Sequence, residues 1–200
     1  MDYAYSKKKN IYFEMITNGV KFTDINFISK VYNNKHMKEG RLSISISYDG
    51  WNGNADRIYR NGKESKMDVI TALSYLSYLD LPFRIRYTIH SKNLFTIIED
   101  IEKIIKSFKP LRIITSEVTE DIENVENGFN ILKKTYYELQ RKWQNNEITI
   151  PICDLFCESC DGCSLSRGKL QYYVQDKKYE KDSRSFEDFN HFETLKKDKS

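Results

Sequence analysis

The spacing of apolar residues changes period several times along this chain. Three short runs rich in β-branched and aromatic residues, "IYFEMIT" (11–17), "RLSISIS" (41–47) and "FRIRYTI" (83–89), predict strands. A less apolar run, "LRIITSE" (111–117), predicts a fourth. Between them apolar positions recur at helical spacing. "DINFISKVYNN" can be capped by Asp24, "SKMDVITALSYLSYL" opens on the Ser65-x-x-Asp68 capping signature, and "LFTIIEDIEKIIKSF" is amphipathic. Strand, helix and strand repeated in this way imply an α/β fold with a parallel sheet and right-handed crossovers.

Residues 119–146 predict further helix, with Gly128 as a break, and the pattern changes character at Pro151. A cysteine cluster follows, then a hairpin-like stretch "KLQYYVQDKKYEKD" (169–182), an aromatic segment "FEDFNHF" (186–192) and a Lys-rich end. Three regions result: an α/β region over 1–118, a helical connection over 119–150 and a small Cys-rich module over 151–200. The opening "MDYAYSKKKN" reads as the end of a helix, basic where the macrodipole favours cations, leading straight into a strand. A four-stranded parallel sheet also leaves an apolar edge that something must cover. Both features predict part of a larger α/β unit, either truncated or completed by a partner.

Composition narrows the partners. The 32 Lys and Arg are nearly balanced by 29 Asp and Glu, and the net charge of +3 is spread along the chain, so no nucleic-acid patch is expected. No stretch approaches the roughly 20 apolar residues of a spanning helix, and the N-terminus has no secretory h-region, which predicts a cytoplasmic protein. In a reducing cytosol, four cysteines within residues 153–163, "CDLFCESCDGC", point to metal ligation rather than to disulfides.

Each predicted strand ends in groups able to touch a ligand: Thr17-Asn18-Gly19, Ser47-x-Asp49-Gly50, His90-Ser91-x-Asn93 and Ser116-Glu117. In parallel α/β folds the ligand crevice lies at these carboxyl ends. Turn formation and helix capping also explain each group taken singly. Of the three histidines, His36 falls in a polar loop, and neither His90 nor His191 has a partner at metal or triad spacing. No G-x-S-x-G elbow occurs, which argues against a Ser-His-Asp hydrolase.

"IYFEMITNGVKFT", "LSISISYDGWNGNADRIYRNGKES" and "FRIRYTIHSKN" together resemble successive strands of the radical S-adenosylmethionine (SAM) barrel, in the sulfatase-maturase and SPASM-like branch, over roughly residues 8 to 117. The resemblance lies in order and spacing: a strand ending in T-N-G, one ending in S-x-D-G, an Arg-containing loop with a Gly, and a strand leading to an Asn. It implies a partial (β/α) barrel in which Ser47 and Arg60 hold the SAM carboxylate, with Asn18 and Asp49 on the rim near the ligand. It also implies radical modification of a peptide or protein substrate. In that chemistry a 4Fe-4S cluster reduces SAM to a 5'-deoxyadenosyl radical, which abstracts hydrogen from the substrate. The CxxxCxxC and G-G-E segments of that family belong upstream of the first strand here. Competence for SAM cleavage is therefore not expected of this chain alone, which reads as one half of a split enzyme, completed by an N-terminal half or partner, or as a degenerate copy.

Cys153, Cys157 and Cys160 spell CxxxCxxC, but they follow the strands, and Cys163 adds a fourth thiolate that would saturate a cluster. By the resemblance, this position suits an auxiliary 4Fe-4S cluster. Zinc is the alternative, although structural zinc sites usually place two knuckles on separate segments. Asp154, Glu158 and Asp161 would lower a cluster's potential or merely solvate the loop, and the aromatics Tyr172, Tyr173, Phe186, Phe189 and Phe192 would pack around it or against the barrel rather than bind substrate. The competing functional expectation is a zinc-stabilised α/β interaction protein without catalysis.

Overall fold

The computed structural model describes residues 12–53, 57–59, 61–153, 172–175 and 178–181. All four expected strands form: β1 (Phe13–Thr17), β2 (Leu42–Ser47), β3 (Phe83–Ile89) and β4 (Arg112–Glu117). They lie side by side in chain order and all run parallel, and a two-residue strand β5 (Ile152–Cys153) neighbours β4. Helices α1 (Ile25–Tyr32) and α2 (Lys35–Lys38) link β1 to β2. A single turn α3 (Gly50–Gly53) and the longer α4 (Lys66–Tyr78) link β2 to β3. Helix α5 (Ile97–Phe108) links β3 to β4, and α6 (Thr119–Glu123) and α7 (Gly128–Gln144) follow β4. The chain divides into two compact units, residues 1–152 and 153–200.

The strand register assigns the two faces of the sheet. Side chains of paired residues in parallel strands share a face, and successive residues alternate between faces. One face carries Ile44, Ile46, Phe83, Ile85, Tyr87, Ile89 and Ile113, all essentially buried. Against it lie Val69, Ala72, Leu73 and Leu76 of α4 and Ile97, Ile101, Ile104 and Phe108 of α5. This apolar layer is the core, and burial of each large aliphatic side chain contributes about 1.5–3 kcal/mol.

The opposite face is mainly polar, with Ile16 and Ile114 its apolar members. It presents Glu14 of β1, Ser43, Ser45 and Ser47 of β2, Arg84, Arg86 and Thr88 of β3, and Arg112 and Ser116 of β4. Its lower part is internally paired: the Ser45 hydroxyl donates to Glu14 Oε1 at 2.5 Å, and the Arg84 guanidinium lies 3.7 Å from the same oxygen. A parallel sheet covered on both faces usually shows near-continuous apolar strands. Here one face is built to meet polar groups.

Asp24 caps α1 as expected, its carboxylate accepting from the backbone N–H of Asn26 and Phe27. Ser65 precedes α4 as expected but makes no capping bond. Its hydroxyl donates instead to Arg57 O at 2.6 Å, and Asp68 accepts from Tyr59 Oη at 2.6 Å, so the 57–65 loop takes both side chains of the anticipated box. His36 does not sit in a polar loop. It is 1% exposed, on α2, with its ring 5.7 Å from that of Phe13.

Gly128 does mark a helix break, because a Cβ there would lie 2.2 Å from Ile122 O. In the second unit, β6 (Tyr172–Gln175) and β7 (Lys178–Lys181) form an antiparallel pair, as the hairpin-like stretch suggested. The opening decapeptide, Arg60, Cys157, Cys160, Cys163, Phe186, Phe189, Phe192 and His191 lie outside the described residues. Cys153 is placed as a residue of β5. No helix among the described residues is long and apolar enough to cross a membrane.

Candidate functional site

The carboxyl ends of β1 to β4 are shaped by side chains bonded to backbone. After β1, Thr17 Oγ1 accepts from the Gly19 N–H at 3.1 Å and Asn18 Oδ1 accepts from the Val20 N–H at 3.2 Å. The turn requires glycine. Gly19 has φ +82°, and a Cβ would lie 2.9 Å from Ile46 Cγ2. Asn18 is thereby held at the rim with its side chain exposed.

After β2 two buried carboxylates organise the loops. Asp49, 5% exposed, accepts from Arg57 Nε at 2.7 Å and Nη2 at 2.9 Å, and from the Thr88 N–H of β3 at 2.9 Å. This fork ties the loop ahead of Arg60 to the ends of β2 and β3. Asp100 of α5, 4% exposed, accepts from the Trp51 N–H at 3.0 Å, Tyr87 Oη at 3.1 Å and Thr96 Oγ1 at 3.1 Å. It packs so closely on Gly50, at φ +77°, that a Cβ there would lie 2.3 Å from Asp100 Oδ2.

Burial, reinforced by the Asp100 charge, pushes the phenols of Tyr87 and Tyr48 well above the ordinary value, so both stay neutral, and Tyr87 donates to Asp100. The hydrogen bond to Asp68 pushes Tyr59 up to about 12. Trp51 stacks on Phe108 at 6.0 Å between centroids, with Lys103 Nζ 4.0 Å from its ring centroid.

After β3, Asn93 is fully buried. Its Nδ2 donates to Thr88 O at 2.8 Å and Asp49 O at 3.2 Å, while its Oδ1 accepts from the His90 N–H at 2.9 Å. The Ser91 N–H donates to Asp121 at 2.6 Å, which holds that carboxyl below its ordinary value. At the end of β4, Glu117 accepts from Tyr136 Oη.

The four sequence-identified side chains of this region thus separate by situation. Asn18 and Asp49 are engaged in local hydrogen bonds, and Arg60 lies outside the described residues. Ser47 ends β2 on the polar face, half-buried, with no hydrogen bond from its hydroxyl among the described residues. Its register partner on β3 is Arg86. Arg86 is likewise half-buried and likewise has no hydrogen bond or ion pair from its guanidinium among the described residues. A hydroxyl and a guanidinium side by side, both with donors to spare, suit a carboxylate.

Sequence reasoning passed over Arg84, Arg86 and Arg112. The signal was present in the strict alternation of "SISIS" and "RIRYTI", which places every serine and arginine on one face. Asp100 and Arg57 were also missed; both read as ordinary surface charges until the fold buries one and pairs the other. Among the described residues no group of acidic, His and Cys side chains could hold a metal ion.

No protein-family model and no curated protein matches the sequence. Solved structures do match. Native anSMEcpe with bound AdoMet, a radical SAM peptide-modifying enzyme, superposes with a TM-score of 0.62 at 15% identity, over 92% of this chain and 58% of that one. The same enzyme with bound AdoMet and the Cp18Cys peptide gives 0.59 at 15% identity over 82% and 50%, and with the Kp18Cys peptide 0.53 at 18% over 72% and 41%. The chain spans about half the length of the structures it matches. Four parallel strands, the helices that cover one face and the polar opposite face therefore make up a radical SAM-like α/β fold, in the form of a partial barrel.

Proposed function

We propose that this chain provides the SAM-binding part of a SPASM-like radical SAM enzyme that modifies a peptide or protein. The observation that carries the reading is the uncommitted Ser47 hydroxyl at the carboxyl end of β2, on the polar face of a radical SAM-like sheet. Ser47 and Arg60 are assigned to the SAM carboxylate. Asn18 shapes the rim by fixing the Gly19 turn, and Asp49 does so by anchoring Arg57, three residues before Arg60. The donor set fits the ligand: a hydroxyl and a guanidinium offer one neutral and one charged donor to a carboxylate, and the strand beneath holds the hydroxyl rigidly.

SAM, when bound and reduced, supplies the oxidising radical of this chemistry. Within this chain the polar face binds and orients, while the packed face keeps water from the core beneath. A complementing segment or partner that carries the SAM-cleaving cluster is part of the proposal. Cys153, Cys157, Cys160 and Cys163 are assigned to an auxiliary 4Fe-4S cluster on their residue type and spacing and on the C-terminal position that the resemblance gives such a cluster. Support for a peptide substrate comes from the matched enzyme, whose structures hold peptides.

Equilibrium dialysis with labelled SAM tests the reading. The wild type should bind saturably, and Ser47→Ala should bind more weakly by roughly tenfold, the loss of one hydrogen bond to a charged group. No saturable binding by the wild type would refute the proposal.

A further inference from the structure

The polar face holds one cation whose role nothing described so far accounts for. Arg84, two residues before Arg86 on the same strand and face, is paired with Glu14, and Arg57 is forked on Asp49. Arg112 is also engaged. Arg86, a half-buried residue, is alone among these four arginines in having no side-chain hydrogen bond or ion pair among the described residues. Withdrawing a cation from water without a partner is unfavourable, and proteins usually offset it with an anion. Its N–H donors therefore meet no acceptor among the described residues.

The neighbours of Arg86 define what would fill that space. On one side its register partner is Ser47, one strand spacing away, with an uncommitted hydroxyl. On the other side it is Ile114, which offers no competing acceptor and lowers the local polarity. The guanidinium fork is planar and matches a carboxylate through two parallel hydrogen bonds, and a hydroxyl adds a third donor to the same group. Arg86 also sits in the middle of a seven-residue strand rather than on a loop, so its position is fixed before a ligand arrives.

The geometry points to Arg86 as a ligand-binding cation that, together with Ser47, takes the carboxylate of SAM. This rests on the proposed function and adds to it. The carboxylate is recognised by a strand-borne fork on β3 as well as by the loop arginine that the resemblance names. The Ser47–Arg86 register pair then contributes to selectivity for ligands that carry a carboxylate.

Calorimetric titration of the whole chain with SAM and with decarboxylated SAM, which lacks only that group, tests the inference. The wild type should prefer SAM. Arg86→Gln should lose roughly tenfold or more in affinity for SAM while binding decarboxylated SAM as the wild type does. Arg86→Lys, which keeps the charge without the fork, should show an intermediate preference. If Arg86→Gln does not fold, the Arg86→Lys ratio decides the matter, and an undiminished preference overturns the inference.

Unchanged SAM affinity in Arg86→Gln would overturn it, as would equal weakening toward both ligands, which marks a structural role. If the wild type binds SAM without preferring it to the decarboxylated form, the inference fails together with the carboxylate roles of Ser47 and Arg60, while SAM binding by the chain stands. If the wild type binds no SAM, both fail.

Discussion

Replacing Asp49 by alanine should be among the most damaging single changes at the rim, and its size can be worked from the contacts. Asp49 is 5% exposed, and among the described residues its carboxylate accepts from Arg57 Nε and Nη2 and from the backbone N–H of Thr88. Alanine leaves the Thr88 N–H without its acceptor, an effect of about 1–3 kcal/mol. It also leaves the guanidinium of Arg57 unpaired. Breaking a fully buried pair costs about 3–5 kcal/mol. The Arg57 side chain is 29% exposed, so water recovers part of that loss.

About 3 kcal/mol in total is expected, which for a chain of this size lowers Tm by roughly 6–12 °C. Thermal unfolding followed by circular dichroism measures it. Arg57→Ala and the double variant complete a cycle, whose coupling should exceed about 1 kcal/mol because the two side chains share two hydrogen bonds. A Tm for Asp49→Ala within about 2 °C of the wild type would refute the view that this fork holds the loop to the strands.

Other consequences follow from the same contacts. Gly50→Ala places a methyl 2.3 Å from Asp100 Oδ2 at φ +77°, and should destabilise the fold by about 2 kcal/mol or more, read from denaturant melts. The Asp121 carboxyl is held below its ordinary value of 3.8, chiefly by the Ser91 N–H, so its folded form favours the anion. Its contribution is complete above that value and is lost as pH falls through the lower folded pKa. The stability difference between wild type and Asp121→Asn should therefore shrink in acid, measured by urea melts across that range. Anaerobic reconstitution should give about four irons and four sulfides per chain, lost in Cys157→Ala, whereas one zinc and no iron would support the scaffold alternative.

The strands and most helices were legible because their apolar residues do one job each. "FRIRYTI" and "LFTIIEDIEKIIKSF" bury one face or stripe, and β3 starts and ends where the run does. What stayed hidden depended on residues far apart in sequence. Ser65 and Asp68 have capping chemistry, but the 57–65 loop folds back and claims both side chains. Asp49 reads as a ligand contact, and only the approach of Arg57 and Thr88 shows where its oxygens go. Asp100 reads as a solvent-facing charge on an amphipathic helix, yet it is buried beneath the turn at Gly50. The polar face was written in the alternation of serine and arginine, which shows as a face only once the strands pair in register. Arg86 was recoverable only once its register against Ser47 was known.

The central claim is that SAM binds on the polar face where β2 and β3 end. Backbone amide chemical shifts of the isotope-labelled chain, recorded while SAM is added, test it most directly. Saturable shifts are expected, centred on Ser47, Asp49, Arg86 and Thr88, which lie together where β2 ends beside β3. Shifts absent there and clustered instead at the groove formed by Phe95, Asn130 and Tyr137 would contradict it.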